Sequence, residues 1–144
     1  MGLLLEGEAR NKSYSSLTYY NAISTDMPKY KIIDLGFSTA DGAQPEIQFV
    51  RGDIHFSFLE WEEQPVRFIA SDVRAFSWLE ELDIPSLRDD VTYEVDDSDL
   101  IQKYYDWNAM SPKDGYRHFK LCFNAAGVFD VVCKTITVIR PPEK

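Results

Sequence analysis

The 144-residue chain has few of the residues that build phosphate-binding, metal-binding and nucleophilic sites. Its seven glycines are scattered singly, so it has no phosphate-binding loop, dinucleotide-binding fingerprint or nucleophile elbow. It has two histidines and two cysteines, and the acidic run DDSD lacks the glycine and the alternating ligand spacing of a calcium loop. From these absences we expect no catalytic residue, no metal site and no cofactor.

Long apolar runs are also missing. None approaches the roughly 18 residues that a membrane-spanning helix requires. The opening stretch, MGLLLEGEAR, lacks both the basic start and the apolar length of a signal peptide. The sequence therefore predicts a cytoplasmic protein with no membrane-embedded segment.

Lysine is absent from residues 51–100, and this segment holds the excess negative charge of the chain. It carries 14 acidic residues against four arginines, a net charge of −10, whereas the whole chain carries −9. A field of this sign repels nucleic acid and anionic membranes, and it attracts cationic surfaces. We therefore expect a basic protein partner and no nucleic acid.

The pattern of apolar residues predicts a single α+β domain over residues 1–144. Short alternating runs predict strands at residues 30–38, 46–51, 53–61, 66–71, 73–79 and 90–95. An apolar stripe predicts a helix over 99–110, with Asp99 and Gln102 as a capping pair. Residues 1–28 are expected to be helical, over about 13–24, or irregular. The fold we expect is a curved, mainly antiparallel sheet of six to eight strands with one or two short packed helices.

A hairpin is expected near the C-terminus, with Ala125, Ala126 and Gly127 as a three-residue loop in which Gly127 forms a bulge. This register places Phe123 opposite Phe129, Leu121 opposite Val131, Phe119 opposite Cys133, Cys122 opposite Asp130, and His118 opposite Lys134. One face of the hairpin is then wholly apolar. The two cysteines point to opposite faces, so we expect two free thiols, as in a reducing compartment.

Aromatic residues bordered by acids are the strongest candidate site. Trp61 lies in LEWEE and Trp78 in SWLEE. Core packing is the ordinary role of a tryptophan, but an exposed tryptophan among carboxylates suits a lysine- or arginine-rich partner. The residues expected to bind a partner are Glu60, Trp61, Glu62, Glu63, Trp78, Glu80, Glu81, Asp89, Asp90, Asp96 and Asp97, with Trp107 as a further possible anchor.

Two other functions remain open from the sequence. Aromatic residues could line the concave face of a half-barrel that binds a small ligand. The acids at 60–63 and at 80–81 could instead supply the paired carboxylates of a hydrolase, which would require at least one of them to be buried. A Cys122–His118 pair within one strand fails, because residues four apart lie about 13 Å from each other.

Residues 66–133 resemble small, mostly uncharacterised bacterial α+β proteins of the immunity-protein type. The resemblance rests on VRAFSWLEE, VTYEVDDSDLIQKYY and YRHFKLCFNAAGVFDVV. In such proteins a strand ending in acids, a YEV-x-x-S turn from strand to helix and a final hairpin ending in DV follow one another. The resemblance implies a non-enzymatic protein that neutralises a basic toxin domain, and it identifies no functional residue.

Overall fold

The computed structural model describes residues 29–139, and these form two antiparallel sheets and one short α-helix. The strands are β1 (Lys29–Ile33), β2 (Ala43–Val50), β3 (Asp53–Leu59), β4 (Pro65–Ser71), β5 (Ala75–Leu79), β6 (Thr92–Asp96), β7 (Arg117–Phe123), β8 (Gly127–Cys133) and β9 (Thr135–Ile139). Helix α1 (Asp99–Asp106) follows β6, and a 3-10 turn (Pro112–Asp114) precedes β7. The five-stranded sheet has the order β1-β6-β7-β8-β5, and the four-stranded sheet β2-β3-β4-β9.

The core lies between the two sheets. On the four-stranded sheet it is built from alternate residues of β3 and β4, which face alternate residues of β7 and β8. Phe56 lies at its centre, with ring centroids 4.8 Å from Phe68, 5.3 Å from Phe123 and 4.9 Å from Phe129. Each of these four side chains is almost completely buried. Apolar rows on two hairpins therefore cover each other and close a sandwich.

The outer face of the five-stranded sheet is covered as well. Helix α1 packs Ile101 against Val132 of β8. The segment between β5 and β6 packs Leu82 and Leu87 near Cys122 and Val128. As a result, β7 and β8 are buried on both faces along most of their length.

The expected fold class is wrong, because the described residues are mostly strand and the strands form two sheets instead of one. The alternation of Ile54, Phe56 and Phe58 correctly indicated a buried face. It did not show that a second apolar face, on β7 and β8, would cover it. The concave ligand-binding face expected of a half-barrel is consequently filled by side chains from the opposite sheet.

Six predicted strands correspond to β1–β6, with shifted ends, whereas β9 was not predicted. Helix α1 ends at Asp106, before the predicted end at residue 110. The predicted cap was also wrong: Ser98 is the N-cap, and its Oγ accepts a hydrogen bond from the Ile101 N–H at 3.2 Å. The Gln102 side chain instead donates to Asp106.

The expected helix over 13–24 and the segment 1–28 lie outside the described residues. Within those residues, no helix is long and apolar enough to span a membrane.

The C-terminal hairpin differs from its expected register by two residues. Gly127 pairs with Phe123, so the loop is residues 124–126, and Leu121 faces Phe129 while Lys120 faces Asp130. A shift of two preserves the faces, so the prediction that Cys122 and Cys133 point to opposite faces is confirmed, and both are free and buried. Burial raises the pKa of Cys122 to about 11 and that of Cys133 to about 12, so both thiols stay protonated at neutral pH.

The position of Gly127 explains the shift. Its φ is +149°, and a Cβ there would lie 2.5 Å from the Leu79 carbonyl oxygen and 2.6 Å from the Trp78 ring. Glycine is therefore required by the close approach of β5, which pairs with β8, and not by a bulge in the turn.

Replacing Gly127 by alanine should destabilise the fold strongly. We expect Gly127→Ala to lower the free energy of unfolding by about 3 kcal/mol, because the added methyl group meets backbone and the φ is unfavourable for alanine. Gly52→Ala is the matched control: its φ is +88°, but its Cβ would meet nothing within 4 Å, so only about 1–2 kcal/mol should be lost. Urea unfolding measures both, and equal losses would contradict the steric explanation.

Candidate functional site

Four loops that are distant in sequence lie at one end of the sandwich. They are residues 34–42, 60–64, 80–91 and 124–126, and we call this region the acidic end. In the five-stranded sheet, pairing of Leu79 with Val128, of Thr92 with Leu121 and of Ile33 with Thr92 brings three of these loops together. The two sheets meet here, since the Asp41 N–H donates to Asn124 Oδ1 at 2.7 Å.

Carboxylates dominate the acidic end. Its four loops contain ten acidic residues and one basic residue, Arg88, which forms an ion pair with Asp90 at 3.1 Å. Eight of the ten acidic residues are exposed, and Glu60 and Asp90 are half-buried. The ten are Asp34, Asp41, Glu60, Glu62, Glu63, Glu80, Glu81, Asp83, Asp89 and Asp90.

The other end of the sandwich, which we call the helix end, has mixed charge. Asp96 and Asp97 lie there, because β6 runs away from the acidic end and finishes at Asp96. Arg117 binds Glu94 through two hydrogen bonds of 2.7 Å, which lowers the pKa of Glu94. The structure therefore brings the expected site residues of 60–63, 80–81 and 89–90 to one end, and separates Asp96 and Asp97 from them.

The three tryptophans differ in position. Trp61 is 62% exposed, in the turn between β3 and β4 at the acidic end. Trp78 is half-buried, with its ring 6.2 Å from the rings of both Phe56 and Phe123, so it belongs mainly to the core. Trp107 is 66% exposed but follows helix α1 at the helix end. Trp61 is thus the exposed tryptophan that lies among the acidic loops.

The longest acidic loop, residues 80–91, is attached firmly to the sheet beneath it. The Arg88 N–H donates to the Tyr93 hydroxyl at 2.8 Å, and Leu82 and Leu87 pack on the buried cluster around Tyr93. Lys120, only 2% exposed, reaches from β7 to Asp83 at 3.1 Å. These contacts restrain the loop against the sheet without any partner present.

Lys120 also binds Asp130 at 2.6 Å. Burial lowers the pKa of Lys120, but Asp130 and Asp83 outweigh this and hold its pKa above the ordinary value. Burial likewise raises the pKa of Asp130, and its hydrogen bonds with His118 and Lys120 more than reverse the effect, so its pKa is lowered. Both groups are therefore charged at neutral pH.

A hydrogen-bonded chain continues from Asp130 toward the helix end. Asp130 Oδ1 bonds His118 Nε2, and His118 Nδ1 bonds Ser98 Oγ at 2.7 Å. Ser98 and His118 line a cavity of about 630 Å³ between β6, helix α1 and the start of β7. Sequence reasoning missed this group, because the expected register placed His118 opposite Lys134. The alternation of His118, Lys120 and Asp130 on one face was the signal available.

The paired-carboxylate alternative finds little support. Of the acids at 60–63 and 80–81, Glu60 is half-buried and the other four are exposed, so none has the burial that this alternative requires. Asp83 and Asp130 do approach each other, but Lys120 lies between them and binds both carboxylates. In the described part of the chain, no three His, Cys, Asp or Glu side chains are grouped as metal ligands.

Comparison of the chain with protein-family models, with curated proteins and with solved structures finds no match. The resemblance to immunity proteins therefore stays a prediction.

Removing the Lys120 charge should destabilise the protein. We expect Lys120→Met to cost about 3 kcal/mol at neutral pH, because it leaves the Asp130 carboxylate buried without its cation. Lys134→Met is the matched control: Lys134 pairs with Asp72 at 3.5 Å, both side chains are 45% exposed, and its loss should cost under about 1 kcal/mol. Denaturant unfolding of both variants measures the difference.

The loss of folding stability in Lys120→Met should depend on pH. The folded-state pKa of Asp130 is lowered in the wild-type protein, so its stabilising contribution is present above its unfolded pKa of about 4 and is lost as the pH falls through the folded value. Without Lys120 that pKa rises, and the difference from wild type should shrink in acid. A deficit that stays constant down to pH 3 would contradict this.

Proposed function

We propose that this protein is an acidic binding module that docks a basic protein on its acidic end, as an immunity protein docks a toxin domain. The observation that carries the proposal is the gathering of ten carboxylates, from three loops separated in sequence, around Arg88, which is paired with Asp90, and Lys120, which is paired with Asp83. Two buried free thiols are compatible with the cytoplasmic location that is part of the proposal.

The mechanism has two stages. The carboxylates attract a cationic surface at long range and raise the association rate. Trp61 then supplies an exposed aromatic face, which can stack on an arginine or lysine of the partner and bury apolar area at the centre of the contact. Because loop 80–91 is already held by Lys120 and Tyr93, docking costs little ordering of the backbone.

Charge removal at the acidic end should slow association with a cationic protein. We expect the combined variant Glu62→Gln, Glu63→Gln and Glu81→Gln to reduce the association rate for cytochrome c, used as a basic probe, about tenfold at low salt. The matched control removes three charges at the helix end: Asp96→Asn, Asp97→Asn and Asp106→Asn should change the rate less than about twofold. Stopped-flow experiments at low and high salt measure the association rate of each variant with cytochrome c. Equal effects of the two variants on this rate would contradict docking at the acidic end.

The two exposed tryptophans provide a second comparison. We expect Trp61→Ala to weaken binding of the natural basic partner about tenfold or more, mainly by faster dissociation. Trp107→Ala removes a side chain of equal size and similar exposure from the helix end, and it should have no more than about a twofold effect. Titration calorimetry measures both affinities. A larger loss for Trp107→Ala would place the partner elsewhere.

Toxin neutralisation itself can be tested by growth. A toxin-like protein encoded beside the gene for this chain should arrest growth when expressed alone, and co-expression of the wild-type chain should restore growth. The triple glutamate variant should protect less than wild type, although it is folded. If that variant protected fully, toxin neutralisation would not depend on the acidic end. If the wild-type chain gave no protection, the proposed immunity role would be wrong.

A further inference from the structure

Ser98, His118 and Asp130 form a chain that docking at the acidic end does not use. Asp130 lies on β8, His118 on β7, and Ser98 at the turn from β6 into helix α1. The Asp130 carboxylate bonds Nε2 of the imidazole, and the Ser98 hydroxyl bonds Nδ1 at 2.7 Å. An acid, an imidazole and a hydroxyl in this order are the parts of an activated serine nucleophile.

The surrounding charges fix the position of each proton. Lys120 at 2.6 Å keeps Asp130 ionised, so this carboxylate accepts a hydrogen bond from His118 Nε2–H. With Nε2 carrying the proton, the neutral form of this imidazole has its lone pair on Nδ1, where it can accept the Ser98 hydroxyl proton. In serine proteases the serine bonds Nε2 and the aspartate bonds Nδ1, whereas here Ser98 bonds Nδ1 and Asp130 bonds Nε2. In both arrangements the proton moves from the serine oxygen to the imidazole.

The cavity gives the hydroxyl a space for a substrate. Ser98 is only 7% exposed, yet it lines the cavity of about 630 Å³ together with His118, Tyr105 and Tyr116. The Ile101 N–H, at the start of helix α1, donates to Ser98 Oγ at 3.2 Å, and it can stabilise negative charge that develops on this oxygen. The hydroxyl therefore has a base on one side and a hydrogen-bond donor on the other.

The charges on the cavity wall select a substrate class. Arg117 is already paired with Glu94, which leaves Lys29 against Asp96, Asp97 and Asp99 on the wall. Two tyrosine rings also line the cavity, and the Tyr116 ring already has Arg74 over it at 5.0 Å and Lys134 at 5.3 Å. Three carboxylates with the Tyr105 ring suit a cation and repel an anion.

We infer that Ser98 is a nucleophile that cleaves carboxylic esters bearing a cationic group, with His118 as its general base and Asp130 and Lys120 as positioning residues. Ser98 Oγ bonds the ester carbonyl carbon while its proton moves to His118 Nδ1. The C–O bond to the alcohol breaks, and the departing oxygen takes that proton. Water then attacks the acyl carbon and gives a proton to His118, and Ser98 Oγ leaves and recovers this proton as the carboxylic acid is released.

Ser98 is also the N-cap of helix α1, so its hydroxyl has a structural role that the experiment must separate from a chemical one. Asparagine caps a helix about as well as serine but has no nucleophilic oxygen. Ser98→Asn should therefore keep the thermal midpoint of wild type, whereas Ser98→Ala loses both the cap and the nucleophile. The exposed Ser77 of β5 gives the matched control, Ser77→Ala.

The test is covalent labelling with a fluorophosphonate, followed by peptide mapping, together with hydrolysis of acetylcholine as a cationic carboxylic ester, measured by the acid that it releases. We expect one label per chain, on Ser98, and at least about a hundredfold loss of labelling and hydrolysis in Ser98→Asn and in His118→Gln. Ser77→Ala should behave as wild type. Neutral 3,3-dimethylbutyl acetate, which has the shape of acetylcholine without its charge, should be cleaved less efficiently than acetylcholine, as judged by kcat/KM.

Two results would overturn the inference. One is labelling of Ser98 in the folded wild-type protein no faster than labelling of other serines, which would leave only the capping role. The other is unchanged hydrolysis in folded Ser98→Asn. These measurements need no protein partner. A negative result for labelling and hydrolysis would therefore not contradict docking at the acidic end, and a negative result for docking would not contradict the labelling of Ser98.

Discussion

The face-to-face packing of two phenylalanine-rich hairpins determines the rest of this structure. Phe56 and Phe68 on one sheet meet Phe123 and Phe129 on the other, with ring separations near 5 Å. Burying side chains of this size stabilises a fold by about 1.5–3 kcal/mol each. Because side chains alternate along a strand, the same arrangement turns His118, Lys120 and Asp130 to the opposite face. Helix α1 and loop 80–91 cover that face, so its polar groups must satisfy one another.

The polar network under this cover connects the two ends of the molecule. Lys120 binds Asp83 of the acidic end and Asp130 of the chain that leads to Ser98. At the acidic end the network fixes a loop whose carboxylates face solvent, and at the helix end it orients an imidazole toward a hydroxyl. One buried lysine thus supports both a rigid charged surface and a positioned base. A cation is favoured at either end, because exposed carboxylates surround the first and three aspartates line the second.

Local features were readable from the sequence to different degrees. The apolar face of β3, the opposite orientations of the two cysteines and the helix after Asp97 follow from periodicity alone. The predicted fold class was wrong because periodicity shows that a face of a strand is buried but does not show which element covers it. The predicted hairpin register was wrong by two residues. Glycine is required at position 127 by the close approach of β5, which is some 50 residues away in the chain. Trp61 and Trp78 look equivalent in sequence, yet Trp61 is mostly exposed whereas Trp78 is half-buried against the core.

The sequence by itself determined the sign of the charge, its concentration in residues 51–100, the approximate strands and the free thiols, since each depends on composition or on neighbours in the chain. Tertiary structure alone decided that the acids of 60–63 and 80–90 share an end with Asp34 and Asp41, and that Asp96 and Asp97 do not. It also decided that Ser98, His118 and Asp130 meet. The physical reason is that strand pairing joins residues through hydrogen bonds between distant segments, and a register shift of two residues changes every partner while leaving the periodicity unchanged.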